Sequence, residues 1–301
     1  HGWCMASPRP MVGMFEPAEP VMSQKITGHT RLIAHIGVPT ESFTAPLIYN
    51  PYFESVGIDA VVVPMGCEAA DFDVFLPSVA RLRNFAGALI TMPHKVSVVG
   101  LLDEASPAVR ASGACNAVRR AEDGRLCGDM FDGEGFVRGA RRKGVTMEGA
   151  RGLVVGAGGV GSAIAASLAQ AGMAELSLFD VEPSRATALA RRLERNFPAL
   201  AVRIGERDAR DKDVVVNATP LGMKPGDPLP IDPDTLAPET FVGEVVLSPT
   251  QTPFLAAATA RGCKTLVGTD MLYEMIPAYL EFFGFPSTSA DALRKVSQVT
   301  T

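Results

Sequence analysis

The stretch Leu153-Val154-Val155-Gly156-Ala157-Gly158-Gly159-Val160-Gly161-Ser162-Ala163-Ile164 constrains the fold more than any other part of the chain. An apolar β-forming run, a turn made of glycine and an alanine-rich run follow one another without a charge. This order reads as a buried strand, a tight turn and the start of a helix. Gly156, Gly158 and Gly161 fit the spacing G-x-G-x-x-G. In that pattern the first glycine makes the turn, the second lets a pyrophosphate approach the backbone, and the third lets helix and strand pack closely. The helix then points its free N–H groups and the positive end of its dipole at the anion.

Glycine turns also end purely structural strands, so the flanks decide. A second apolar run, residues 176–179, ends at Asp180, about 20 residues beyond the turn, where an acid accepts hydrogen bonds from the ribose hydroxyls of NAD and repels the extra phosphate of NADP. Residues 152–174 carry no charge, as in a membrane span, but their glycine cluster divides them into strand, turn and helix.

The remaining composition narrows the class. A chain of 301 residues with 47% hydrophobic and 20% charged residues has room for two globular domains. A net charge of −5 and a pI near 5.5 provide no broad basic surface, so neither nucleic acid nor membrane is an expected partner. Cys4, Cys67, Cys115, Cys127 and Cys263 are odd in number, scattered and without metal-ligand spacing, and His29 and His35 show none either; no metal and a reducing, cytoplasmic setting are expected. The first 25 or so residues have neither the basic start nor the apolar core of a signal peptide, and they read with their prolines as a loose extension over 1–28.

Taken in order, residues 32–36 read as a strand, 46–56 as a helix and 58–63 as a strand, a β-α-β unit. A helix is expected over 72–85 with Pro77 as a possible break, a strand over 88–91 and a helix from Lys95 to about residue 102. Strands over 115–119 and 126–130 flank the hairpin signal Asp123-Gly124. A linking helix over 133–143 leads to the glycine-rich strand, and strands follow at 202–204, 214–216, 242–247 and 265–267. The expected fold class is α/β: an N-terminal α/β substrate domain over 29–131 and a Rossmann-type, doubly wound NAD-binding domain with its linker helix over 132–269. A last segment within 270–290, amphipathic over 271–283, folds back onto the first domain.

Five separated motifs resemble the shikimate dehydrogenase family. Gly87-Ala88-Leu89-Ile90-Thr91-Met92-Pro93-His94-Lys95 is similar to its catalytic-lysine segment, Gly113-Ala114-Cys115-Asn116-Ala117-Val118 to its asparagine segment, and Gly128-Asp129-Met130-Phe131-Asp132-Gly133 to its aspartate segment. Asn217-Ala218-Thr219-Pro220-Leu221-Gly222-Met223 and Gly268-Thr269-Asp270-Met271-Leu272 resemble its two later cofactor-domain motifs. The resemblance implies a catalytic pair, Lys95 and Asp132, between the domains. Lys95 takes the hydroxyl proton as hydride leaves the same carbon, Asp132 orients its ammonium, and Thr91 and Asn116 complete the polar wall. Taken alone, Lys95 also reads as a solvated lysine at a helix start, and Asp132 as a cap for the next helix.

The resemblance places the cofactor against Gly156, Ala157, Gly158, Gly159, Val160, Gly161, Asp180, Arg185, Asn217, Ala218, Thr219, Pro220, Val245, Gly268 and Met271. NADP-dependent members carry Asn-Arg-Thr where this chain has Asp180-Val181-Glu182, so NAD is the expected cofactor; Arg185 leaves weak NADP use open.

Departures from the family pattern fall at the other end of the substrate. Two serines that grip the shikimate carboxylate correspond to Phe43 and Ala45, a tyrosine to Leu247, an asparagine to Leu89 and a glutamine to Met275. A hydrogen bond to a charged group contributes roughly 1.5–3 kcal/mol, so losing two weakens transition-state binding by about 3–6 kcal/mol, or on the order of 10² to 10⁴. The expectation is an NAD-dependent oxidoreductase acting on a cyclic hydroxylated substrate that is less polar at one end, quinate or a related carbocycle among them; a homodimer is compatible. A conventional shikimate dehydrogenase with a rearranged carboxylate site and a non-catalytic NAD-sensing module are the alternatives.

Overall fold

The computed structural model describes residues 25–299 except 206, 248 and 250, so most of the expected extension over 1–28 lies outside the described residues. Two six-stranded sheets organise the chain. The first is built from β1 (Arg31–Gly37), β2 (Ala60–Gly66), β3 (Phe85–Ile90), β4 (Glu104–Ala105), β5 (Ala117–Arg120) and β6 (Leu126–Asp129), in the order β2-β1-β3-β5-β6-β4. The pairs β1–β2 and β1–β3 are parallel, while β5 runs antiparallel to both β3 and β6. The β5–β6 hairpin turns at Gly124, whose φ of 91° suits a residue without a Cβ. Helices α1 (Pro46–Val56), α2 (Phe72–Val79) and α3 (Pro107–Ser112) belong to this half.

The second sheet follows α4 (Asp132–Arg142). It comprises β7 (Arg151–Val155), β8 (Glu175–Phe179), β9 (Ala201–Ile204), β10 (Val214–Asn217), β11 (Phe241–Glu244) and β12 (Lys264–Leu266), with α5 (Gly159–Gln170), α6 (Pro183–Asn196) and α7 (Pro253–Ala260) between strands. All its pairs are parallel, and the order β9-β8-β7-β10-β11-β12 is 3-2-1-4-5-6 for six strands numbered from β7. This is the doubly wound order, and its direction reverses between β7 and β10, where such folds open a crevice for a ligand. Both faces of the sheet are covered: Val154, Val216 and Leu178 pack with residues of α4, α5 and α6, and Leu153, Val155 and Val215 pack with residues of α7.

The closing helix α8 (Gly268–Phe282) joins the two halves. Met271 sits in the core of the second sheet, whereas Leu272, Ile276, Tyr279 and Leu280 share a core with Ile33, Leu89 and Ala117 of the first. Close packing of α4 on α8 requires Gly135, because a Cβ there would lie 2.8 Å from the Met275 Cβ. Helix α9 (Ala290–Val296) then packs near α1, with Gln298 N–H donating to the Leu47 carbonyl.

Several local expectations need correction. The helix expected over 72–85 stops at Val79, two residues after Pro77, and Phe85 already belongs to β3. No α-helix starts at Lys95; it sits in a turn ahead of a short 3₁₀ turn, Ser97–Leu101. Strand β2 runs on to Gly66 through Pro64, and β11 ends at Glu244, so Val245 and Leu247 lie beyond the strand. The described strands include β4, and the described helices α3, α6, α7 and α9, none of which the sequence pattern was read to contain.

Candidate active site

The carboxyl end of β3, the amino end of the antiparallel β5 and the first turn of α4 converge on one ion pair. Lys95 Nζ donates to Asp132 Oδ2 at 2.5 Å, with the lysine side chain 15% exposed and the aspartate 4%. Asn116 Nδ2 donates to the other carboxylate oxygen at 2.8 Å, while Asn116 Oδ1 accepts from Phe131 N–H at 3.0 Å. The backbone pins this asparagine in turn: Ile90 N–H donates to its carbonyl, and its own N–H donates to the Asp129 carbonyl. Lys95 is held by its backbone too, its carbonyl accepting from Cys115 N–H at 2.7 Å. Asp132 is therefore no cap. It is the first residue of α4, Phe131 occupies the N-cap position without a side-chain hydrogen bond, and the carboxylate gains from the helix dipole while facing an ammonium.

His94 departs from this group. It is buried, its Nε2 lies 2.7 Å from the Cys67 carbonyl, and its ring stacks on Phe72 at 3.9 Å.

The glycine turn lies directly across from Lys95. A Cβ on Gly159 would be 3.4 Å from the Lys95 Cβ, so the first turn of α5 and the lysine are neighbours. Gly156 has φ +102° and abuts the Ala218 backbone, and a Cβ on Gly161 would strike the Gly156 carbonyl oxygen. Gly158 behaves differently: nothing lies within 4 Å of where its Cβ would be, and α5 begins there with no side-chain cap. Open space in front of unpaired helix N–H groups is the arrangement that accepts a pyrophosphate, so the residues present fit a dinucleotide. The described residues hold no cluster of three or more His, Cys, Asp or Glu placed for a metal.

Of the other residues expected at the cofactor, Asp180, Ala218 and Thr219 meet this turn directly. Asp180 accepts from Ala157 N–H at 2.7 Å and from Glu182 N–H at 2.8 Å, bracing the turn against the end of β8. Arg185 is paired to Glu182 at 2.7 Å. Asn217 shapes the loop opposite, its Oδ1 accepting from the Thr219 N–H and hydroxyl and its Nδ2 donating to the Leu221 carbonyl. Val245 N–H donates to the Asn217 carbonyl, and Gly268 lets α8 start against the Val245 and Val246 backbone.

At the far end the replaced positions gather into one apolar patch. Ala45 and Leu89 are buried, and Leu247, Met275 and Phe131 pack against the same cluster. Phe43 stacks on His35 at 4.0 Å with an interplanar angle of 25°. Thr91 stays close by, its Cγ2 and Phe43 Cζ both facing Gly37. Burial, then the Lys95 charge, push the His35 imidazole down to about 3, so it is neutral at any ordinary pH.

Sequence reasoning missed four polar side chains. His35 was considered only for metal spacing, and Tyr49, Tyr279 and Glu244 drew no attention. Glu244 is fully buried at the end of β11, accepting from Thr252 Oγ1 at 2.9 Å and from Asn217 Nδ2 at 3.5 Å, and its Oε1 has no partner. Burial raises it to about 7. An ionisable residue inside an otherwise apolar strand run, as His35 and Glu244 both are, was the available signal.

The doubly wound sheet, the second α/β sheet and the glycine turn beside Lys95 fit a nicotinamide-dependent oxidoreductase acting on CH–OH groups, and the relatives are named as such. Residues 36–118 match the model of the shikimate dehydrogenase substrate binding domain. An NADP(+)-dependent shikimate dehydrogenase from Acidiphilium cryptum is 35% identical over 271 residues, 89% of this chain and 96% of that protein. The chain belongs to the shikimate dehydrogenase family.

Among solved structures, the shikimate 5-dehydrogenase from Listeria monocytogenes in complex with shikimate and NAD superposes with a TM-score of 0.82 at 28% identity, covering 91% of this chain and 99% of that one. The quinate dehydrogenase from Corynebacterium glutamicum in complex with NAD gives 0.79 at 30%, covering 89% and 98%. A ligand-free 5-ketofructose reductase from a Gluconobacter species gives 0.81 at 26%, covering 90% and 98%. Among the described residues no helix is long and apolar enough to cross a membrane.

Proposed function

We propose that this enzyme interconverts a cyclic secondary alcohol and its ketone with NAD(H), using Lys95 as the proton-transferring group and Asp132 as its partner. One observation carries the reading: the Lys95–Asp132 pair at 2.5 Å lies beside the first turn of α5, with Gly159 between lysine and cofactor turn. The nicotinamide ring supplies or accepts the hydride. The chain must supply everything else, and it has the groups to do so. An alcohol losing hydride also loses its hydroxyl proton, and an amine at the seam can receive it; on reduction the ammonium returns it. Asp132 holds the Lys95 Nζ in one place through a charge-assisted hydrogen bond, and Asn116 fixes Asp132 from the opposite side. Thr91 and Asn116 line the reacting end, and Gly156 to Gly161 with Asn217 to Pro220, Val245, Gly268 and Met271 hold the dinucleotide.

NAD rather than NADP follows from the end of β8. Two carboxylates, Asp180 and Glu182, follow β8, and Arg185 is occupied by Glu182, which supports a ribose with free hydroxyls over one carrying a 2′-phosphate. The Acidiphilium relative is named for NADP, which makes the cofactor the sharpest point of difference. The test is steady-state oxidation of a panel of cyclic polyols and ring hydroxy acids with NAD and NADP separately, for wild type and Lys95→Ala. A kcat reduced at least 10³-fold in the variant, with NAD preferred, is expected; unchanged turnover by Lys95→Ala refutes the role of Lys95, and tighter use of NADP refutes the reading of Asp180.

A further inference from the structure

The polar groups around the apolar cluster of replaced positions point to a different kind of substrate from a ring carboxylate. Tyr49 on α1 and Tyr279 on α8 are both buried, 1% and 4% exposed, and both belong to the apolar cluster that contains Ala45 and Leu89 and is lined by Leu247 and Met275. Neither hydroxyl hydrogen-bonds to any described residue. Tyr279 packs edge-on against Phe131, ring centroids 4.8 Å apart, which sets it beside Asp132. His35, at the end of β1, faces the same side of the sheet as its register partner Leu89, and its Nδ1 is buried with no partner. A buried imidazole nitrogen without a partner is costly unless a ligand completes it, and the two phenol oxygens, which are not sealed from solvent, are open to the same ligand.

We propose that His35, Tyr49 and Tyr279 are specificity-determining residues that hydrogen-bond an uncharged polyhydroxylated alcohol or ketone, so that the enzyme selects against a carboxylated ring. This rests on the dehydrogenase reading above and deepens it. The charge pattern decides against an anion. Lys95 is the nearby cation and Asp132 already neutralises it; His35 is kept neutral by burial and by that lysine. Burial first, and then Asp132, hold the phenol proton on Tyr279, so its hydroxyl stays neutral and able to donate. Phe43, Ala45, Leu89, Leu247 and Met275 offer no hydrogen bond to one. A hydroxyl donates and accepts at once, which is what two phenols and a neutral imidazole require of a partner. The Gluconobacter neighbour, named for a keto sugar, shows that this fold is found in a protein named for an uncharged compound.

The experiment measures kcat and KM with NAD(H) for inositols, ketohexoses and 5-ketofructose against shikimate and quinate, in wild type, Tyr49→Phe, Tyr279→Phe and His35→Leu. Expected are turnover of an uncharged compound at least tenfold more efficient than either carboxylate, KM for it raised about 5- to 10-fold by each tyrosine variant, and kcat and the KM for NAD(H) within about threefold of wild type. That split separates substrate recognition from general loosening, which moves all constants together. Greater efficiency on shikimate or quinate, still abolished by Lys95→Ala, overturns this inference and leaves the dehydrogenase reading standing. Tyrosine variants with KM within twofold of wild type also overturn it. Turnover of nothing in the panel overturns both.

Discussion

Two buried ionisable groups tilt the stability of this protein against pH in opposite directions, and each can be removed separately. Burial, and then the Lys95 charge, hold the His35 imidazole down at about 3 in the folded chain, against its ordinary 6.5. Folding therefore excludes its proton, the stability it permits is fully present above pH 6.5, and that stability is lost as pH falls towards 3. Between pH 7 and pH 5 the loss is about 2 kcal/mol. Glu244 is raised to about 7 from 4.5. Its folded form holds the proton more tightly, so its contribution is fully present below pH 4.5 and is lost as pH rises through 7; moving from pH 7 to pH 5 regains about 2 kcal/mol. The two terms nearly cancel over that window, leaving wild type flat in respect of both. Urea unfolding at pH 5, 6 and 7 separates them. His35→Leu is expected to gain about 2 kcal/mol in unfolding free energy from pH 7 to pH 5 relative to wild type, Glu244→Gln to lose about as much, and the double variant to track wild type. If either single variant keeps the wild-type pH dependence, the environment assigned to that residue is wrong.

Two further predictions concern the scaffold of the site. Gly161→Ala drives a methyl into the Gly156 carbonyl oxygen, so the turn must open; a loss of about 1–3 kcal/mol in thermal or urea unfolding and at least a tenfold weaker NAD(H) affinity by calorimetry are expected, and an unaltered affinity would show that the turn does not seat the cofactor. Asn116→Ala removes the donor to Asp132 and the acceptor of Phe131 N–H together, leaving buried groups unpaired, and is expected to cost about 2–4 kcal/mol of stability with a lowered kcat; a cost under about 1 kcal/mol would mean that the Asn116 bridge is not formed in solution.

The chain order of glycine turn, second strand and acid was legible because it is local: each glycine answers to a backbone demand within a few residues, such as the positive φ of Gly156. The doubly wound class followed from the glycine turn and the run of six strands, although α6 and α7, which cover the sheet, were not among the expected helices. What escaped was set by tertiary contact. Strand β4 is two residues long and exists because β6 offers it an edge. Pro77 reads as a possible break, and α2 does end two residues beyond it, whereas Pro277 sits inside α8, whose packing outweighs the lost hydrogen bond. Lys95 and Asp132 could be named from motifs, but that Asn116 ties the carboxylate to the Phe131 backbone, or that Phe43 would find His35 beneath it, is a matter of which ends of distant strands meet.

On the proposed reading, the reacting end and the selecting end of the site are built on different principles, and they differ accordingly in what they tolerate. At the reacting end Lys95, Asn116 and Asp132 are joined to one another and to the backbone of β3, β5 and α4 by hydrogen bonds with few spare partners, so replacing any one leaves another buried and unpaired. At the selecting end His35, Phe43, Ala45, Leu89, Leu247 and Met275 come from a strand end, a loop, a second strand, a second loop and a helix, and they touch through packing alone. An apolar exchange there removes no obligatory partner and costs the fold little, provided volume is conserved. If that reading holds in the assays above, substrate choice is free to change without disturbing the Lys95–Asp132 geometry, and the residues that pack rather than bond are where it would be set.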